Sequence, residues 1–169
     1  MLMPSAPAAN ARHDPDYFMR NFSVKTFDES GRLKSEVTGT DARHYPDTDT
    51  LEIDGVRIRS FDPEGRLTTV SSKRALTNSD NSEMQLFGDA LVVRQSSLDA
   101  MGKVQPRMEF RGQFLHAFME TEQVKSNLPV ELTRGRDRFN ADSLEFDNKV
   151  GIAVLKGRVK GVLVPMKPS

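Results

Sequence analysis

Phe27-Asp28-Glu29-Ser30-Gly31-Arg32-Leu33 returns 34 residues later as Phe61-Asp62-Pro63-Glu64-Gly65-Arg66-Leu67. Each copy reads strand, tight turn, strand. An Asp at the first turn position can accept a backbone N–H two residues on. Pro63 presets φ for the next position, and Gly31 and Gly65 can adopt the positive φ that closes such a turn. Weaker echoes stand at Leu98-Asp99-Ala100-Met101-Gly102 and at Phe146-Asp147, the latter followed by Gly151. A period of 34 also belongs to a helical repeat. The flanking segments reject it, because Val56 and Ile58, Val92 and Val93, and Val159, Val162 and Val164 sit in short runs with polar neighbours. β-branched residues at period two make half-buried strands, and no stretch sustains the i, i+3, i+4, i+7 pattern of a capped helix.

The expected strands are Tyr17–Asp28, Leu33–Tyr45 with a bend near Gly39, Thr50–Ile53, Val56–Asp62 and Leu67–Arg74. A polar loop at 78–82 precedes a pair, Glu83–Phe87 and Ala90–Gln95, around Gly88-Asp89. Residues 96–105 connect to Arg107–Glu120, read as one long strand or as two with a break at Gly112. Lys125–Leu132, Arg138–Asp147 and Val150–Val164 follow. Pro129 lacks a ladder donor and suits a strand start or an edge. About a dozen or more strands with turns every ~8–12 residues define an all-β sandwich, barrel or jelly roll. The domain is expected over 14–165, with a flexible arm at 1–13 and a tail at 166–169. Val150–Val164 reads as a terminal strand pair whose edge is either guarded by Arg158 and Lys160 or kept open for strand addition.

At 169 residues the chain buries roughly 70% of its unfolded surface, enough for one core without staples. It has no cysteine, and Lys plus Arg equal Asp plus Glu at 24 each. Thiolate metal sites and disulfides are therefore excluded, and no global field attracts nucleic acid. His13, His44 and His116 have no metal-like spacing, and Asp14/Asp16 and Asp47/Asp49 read as solvated turn carboxylates. P-loop, Gly-x-Gly-x-x-Gly and Gly-x-Ser-x-Gly motifs are absent. Neither an enzyme nor a cofactor or metal is expected. Residues 1–11 lack the basic start and apolar middle of a signal peptide, and no ~20-residue apolar run occurs.

The run His13-Asp14-Pro15-Asp16-Tyr17-Phe18-Met19-Arg20-Asn21-Phe22, followed by the Phe-Asp-x-x-Gly turn, resembles the start of the periplasmic domain of the LptC family. Ala42-Arg43-His44-Tyr45-Pro46, Leu86-Phe87-Gly88-Asp89-Ala90-Leu91-Val92-Val93 and Gly157-Arg158-Val159-Lys160-Gly161 continue the likeness in order, from about Asp14 to Val164. The resemblance implies an open antiparallel β-jelly-roll (OstA/LptA-like) in the bacterial periplasm, holding the acyl chains of lipopolysaccharide in its interior. It implies receipt of lipid from LptF and LptG at the N-terminal edge and delivery to LptA at the C-terminal edge. It further implies tethering to the inner membrane through an anchor that this sequence does not contain.

A lipid slide needs apolar side chains without a fixed polar site, since acyl chains offer nothing to hydrogen-bond, and each buried CH₂ contributes roughly 0.8 kcal/mol. Alternation selects Phe22, Val24, Val37, Ile53, Val56, Ile58, Val70, Leu86, Val92, Leu115, Val130, Leu144 and Phe146 as the interior. The partner edge is expected at Ile152, Val154, Gly157, Val159, Gly161 and Val162. A structural β-scaffold that bridges envelope proteins without lipid is the alternative. The repeated turn is expected to join strands, not to touch the cargo.

Overall fold

A computed structural model describes residues 12–165. Residues 1–11 of the expected arm and the expected tail at 166–169 lie outside the described residues. The chain forms β1 (Tyr17–Phe27), β2 (Leu33–Tyr45), β3 (Thr50–Phe61), β4 (Leu67–Asn78) and β5 (Glu83–Arg94), then a two-stranded excursion, β6 (Ser97–Leu98) and β7 (Val104–Gln105). It continues through β8 (Met108–Phe118), β9 (Gln123–Ser126), β10 (Val130–Arg134), β11 (Asp137–Ala141), β12 (Ser143–Asp147), β13 (Ile152–Lys156) and β14 (Lys160–Val162). All pairings are antiparallel, and twelve of the strands form one sheet.

That sheet is a meander of nine passes folded along a crease. β1 to β5 and β8 cross the crease unbroken. The last three passes are each split into two short strands: β9 with β10, β12 with β11, and β13 with β14. One end of β8 (His116–Phe118) pairs β9, and the other (Met108–Gly112) pairs β10. Outward from there, β12 and β13 continue one layer, and β11 and β14 continue the other.

The crease is written in the burial pattern. A strand keeps one set of alternate residues on one face, so a slip of one residue exchanges the faces. In β2 the buried set passes from Val37 to Ala42, and in β3 from Ile53 to Val56 and Ile58. In β4 it passes from Val70 and Ser72 to Ala75 and Thr77, and in β8 from Met108 and Phe110 to Leu115 and Ala117. Positive-φ residues mark the line at Asn21 (45°), Gly55 (61°), Gly88 (79°) and Asp89 (46°). β5 alone keeps its parity, because a bulge at Gly88-Asp89 inserts an extra residue against both neighbours.

Several sequence expectations are corrected by this crease. Thr50–Ile53 and Val56–Asp62 are one strand, β3, with Gly55 as its kink. Glu83–Phe87 and Ala90–Gln95 are not a hairpin but one strand, β5, with a bulge. Leu67–Arg74 runs on to Asn78, since Ala75 and Thr77 resume the alternation in the opposite phase. Lys125–Leu132 and Arg138–Asp147 each divide into two strands, and Pro129 stands immediately before β10. Val150–Val164 is not a strand pair, because β13 pairs β12 and β14 pairs β11 in different layers.

The turns form as the repeat requires. Asp28 Oδ1 accepts the N–H groups of Ser30 and Arg32, and Gly31 N donates to Asp28 O with φ at 85°. Asp62 repeats this with Glu64, Arg66 and Gly65, and Asp99 with Met101, Lys103 and Gly102. The fourth echo is longer: Lys149 N donates to Asp147 Oδ1 and Gly151 N to Asp147 O.

Candidate functional site: an interlayer cavity and the free edges

Folding at the crease brings the two layers face to face. Phe110 from one meets Phe146 from the other, with ring centroids 4.9 Å apart. Beside this contact the layers separate around a cavity of about 430 Å³. Its walls are apolar: Val37, Ile58, Val70 and Val92 on one side, and Met84, Ala117, Val124 and Phe146 on the other. Its rim is polar and built from turns, at Asp62-Pro63, Asp80–Ser82, Met119–Glu122 and Asn148-Lys149. The second copy of the repeated turn thus lies at the mouth, where Phe61 and Pro63 line it. The turn ends one of the passes that wall the cavity.

Of the thirteen interior residues read from alternation, Val37, Ile58, Val70, Val92 and Phe146 line this cavity. Ile53, Val56, Leu86, Leu115, Val130 and Leu144 are buried in the same core without reaching it. Phe22 is half-buried and lies over Gly39, where an added Cβ would come within 2.8 Å of its ring. Val24 pairs with buried Val37 but is 41% exposed, since β1 is an edge strand with no neighbour to cover it. Sequence reasoning passed over Met84 and Phe110. Met84 stands two before Leu86, and Phe110 pairs directly with Val92, so alternation extended through β5 and β8 reaches both.

The sheet ends in free edges at both extremes. Among the described residues β1 is unpaired on one side, with Tyr17, Phe18 and Phe27 exposed. At the other extreme both layers end separately, in β13 and β14. Ile152, Val154 and Val162 are exposed on these two strands. Gly157 and Val159 belong to neither, but to the crossing between them. That crossing is tight: Gly157 takes φ at 78° and Arg158 at 45°, and a Cβ on Gly157 would fall 2.6 Å from Asp142 Oδ2. Arg158 donates to both Asp142 oxygens at 2.9–3.1 Å. It staples the crossing to the point where β11 gives way to β12, so it is not a free edge charge.

The start of β1 is held by a clasp. His44 Nδ1 lies 2.6 Å from Asp16 Oδ1, and Nε2 lies 2.9 Å from Asp49 Oδ1. An imidazole with a carboxylate at each nitrogen donates at both, which is the protonated form. Hydrogen bonds to Asp49, then to Asp16, hold its pKa above the ordinary histidine value, and the same bond depresses that of Asp49. Tyr17 stacks on His44, and reciprocally His13 stacks on Tyr45 while bonding Asp47 at 3.0 Å. His13, a residue of the expected arm, is therefore docked on the sheet. Among the described residues no cluster of three or more His, Asp or Glu could hold a metal, and no helix is long and apolar enough to cross a membrane.

A single creased meander, with an apolar cavity between its layers and unpaired strands at its ends, defines an open antiparallel β-jelly-roll. The family model for "Lipopolysaccharide-assembly, LptC-related" proteins matches residues 3–164. The chain belongs to the LptC family. Among solved structures it is similar to LptH of Pseudomonas aeruginosa, described as the LptA-homologous periplasmic component of the conserved lipopolysaccharide transport device. The TM-score is 0.62 at 12% identity, over 78% of this chain and 95% of that one, a likeness of fold. No curated protein matches the chain.

Proposed function

We propose that this domain is a non-enzymatic periplasmic carrier, holding the acyl chains of lipopolysaccharide between its two layers. It receives the lipid from the LptF/LptG transporter at the β1 edge and passes it to LptA at the β13 and β14 edges. The domain works tethered to the inner membrane. The observation that carries the reading is the cavity itself, with apolar walls from both layers and a polar rim, in a chain of a lipopolysaccharide-assembly family. Acyl chains need only such walls, and each methylene transferred contributes roughly 0.8 kcal/mol. Exposed β-branched residues on unpaired edges suit strand addition, in which a partner's backbone completes the ladder.

The scaffold reading has one observation in its favour: Ile53, Leu86, Leu115 and Leu144 are packed to 2% exposure or less and leave no room for cargo. The two readings separate by position. Photoreactive residues at Val37, Ile58 and Val92 are expected to capture lipopolysaccharide in cells, while one at Leu115 stays silent. Silence at all four positions would favour the scaffold. Crosslinkers at Ile152 and Val162 report in the same experiment which edge meets LptA.

A further inference from the structure

We propose that Arg94 is an anion site at the cavity mouth, receiving a phosphomonoester of the amphiphile whose acyl chains occupy the cavity. The inference rests on the carrier reading and adds the head group to it.

Arg94 is the last residue of β5. Met84, Leu86, Ala90 and Val92 are buried on one face of that strand, and the same alternation turns Arg94 toward the cavity, while buried Val93 stands on the other face. It pairs with buried Met108 on β8 and lines the cavity. A cation at a core-facing position is costly unless a carboxylate meets it. None lies within 4.0 Å of Arg94 among the described residues. One terminal nitrogen donates to Asn148 Oδ1, and the other to Pro106 O at 3.3 Å. Nε is buried with no partner, the one side-chain polar atom in that condition among the described residues.

The surrounding charges deepen the deficit. Burial, followed by the cations of Arg66 and Arg134, acts against the guanidinium charge, and Glu122 is the opposing influence. Glu122 communicates with Arg94 through an amide, since Asn148 Nδ2 donates to Glu122 Oε1 at 3.4 Å. Asp62, also on the rim, is committed to Arg66 at 2.5 Å and to the amides of its own turn. A guanidinium does not deprotonate to relieve such a site, so the remaining remedy is an added anion. Its unused N–H groups form the planar fork that matches phosphate oxygens. The adjoining walls, Val92 and Phe110, are apolar. Acyl chains inside with a phosphate at the mouth satisfy both parts of the site at once.

The test is calorimetric titration of the full chain with three probes: bisphosphorylated lipid A, the same lipid dephosphorylated, and inorganic phosphate. Wild type is expected to bind the phosphorylated lipid about tenfold or more tightly than the dephosphorylated one, the scale of a charge-assisted fork. Arg94→Gln removes that preference and keeps the affinity for dephosphorylated lipid, while Arg94→Lys, a point charge without the fork, keeps part of it. Inorganic phosphate alone binds far more weakly, which separates a lipid head-group site from a free-phosphate site; equal affinity for free phosphate would overturn the lipid assignment. Equal affinity of wild type for the two lipids overturns the phosphate site and leaves the carrier reading standing. Equal weakening of both lipids by Arg94→Gln makes the residue a latch on Asn148 and also overturns the site. Failure of wild type to bind either lipid overturns this inference and the carrier reading together. Should Arg94→Gln not fold, the wild-type ratio and Arg94→Lys still decide.

Discussion

The two halves of the sheet cross the same crease in different ways. The first six passes run through it as single strands of 11 to 13 residues. The last three break there into strands of three to five. An unbroken strand couples the two layers through its backbone. A broken one joins them only by a short crossing, as at Pro129, Asp142 and Gly157. The continuous half supplies one cavity wall, Val37, Ile58, Val70 and Val92, and Met84 and Ala117 of the other, to which the broken half adds Val124 and Phe146. The broken half ends in two separate edges, one in each layer.

The strongest way to break this comparison is to block a crossing in the continuous half. At Gly39 a Cβ would meet Ile53 Cγ2 at 2.7 Å and the Phe22 ring at 2.8 Å. Phe22 stands on an edge strand and can yield, but Ile53 is buried at 2% and cannot. Gly39→Ala is expected to cost about 1–3 kcal/mol through overpacking. In a chain of this size that lowers the melting temperature by roughly 2–4 °C per kcal/mol. A thermal scan reads it, and an unchanged midpoint would mean that the crease in this half is as pliable as in the other.

Much of this was legible in the sequence, and the failures share a cause. The repeated turns were readable because the Asp and Gly that close them act within five residues of chain. The interior was readable because alternation is local, and eleven of its thirteen residues proved buried. Alternation failed at one kind of place, where the phase slips. Val56 following Ile53, and Ala75 following Ser72, look like the end of one strand and the start of another. A strand kinked at Gly55 and a hairpin at that glycine present the same residues to a sequence reader. What distinguishes them is pairing with β2 and β4, which is long-range. The cavity was unreadable for the same reason, since packed Ile53 and cavity-lining Ile58 differ only in what faces them across the layers.

A smaller effect is expected from the broken half. Asp142 holds Arg158 by three hydrogen bonds, but the two side chains are 40% and 82% exposed. A pair so open to solvent contributes little to global stability. Asp142→Ala should therefore leave the melting temperature nearly unchanged while loosening the crossing from β13 to β14. Hydrogen exchange at Gly161 and Val162 is expected to quicken, with the amides of β3 and β4 unaffected. A large loss of global stability would instead make the crossing an integral part of the fold, and the two halves would not differ as claimed.

The smallest effect concerns the opposite edge, where β1 is clasped by a titratable histidine, whereas the crossing from β13 to β14 is held by Arg158 and Asp142. The pKa of His44 is raised in the folded chain by Asp49 and Asp16. Its contribution is then fully present below the unfolded value near 6.5 and is lost as pH rises through the folded one. Asp49 has the opposite sign: its pKa is depressed, so its contribution is present above the unfolded carboxylate value and fades as pH falls through the folded one. The clasp is tightest between these limits and loosens on either side of them. Exchange of the β1 amides from Tyr17 to Arg20 is expected to quicken as pH rises above the histidine range, beyond the intrinsic dependence, and β14 should show no such excess. His44→Gln keeps a bond but cannot take a charge, so it should flatten the β1 response. A pH response of equal size in that variant would remove His44 as its origin and leave the N-terminal edge as free as the C-terminal ones.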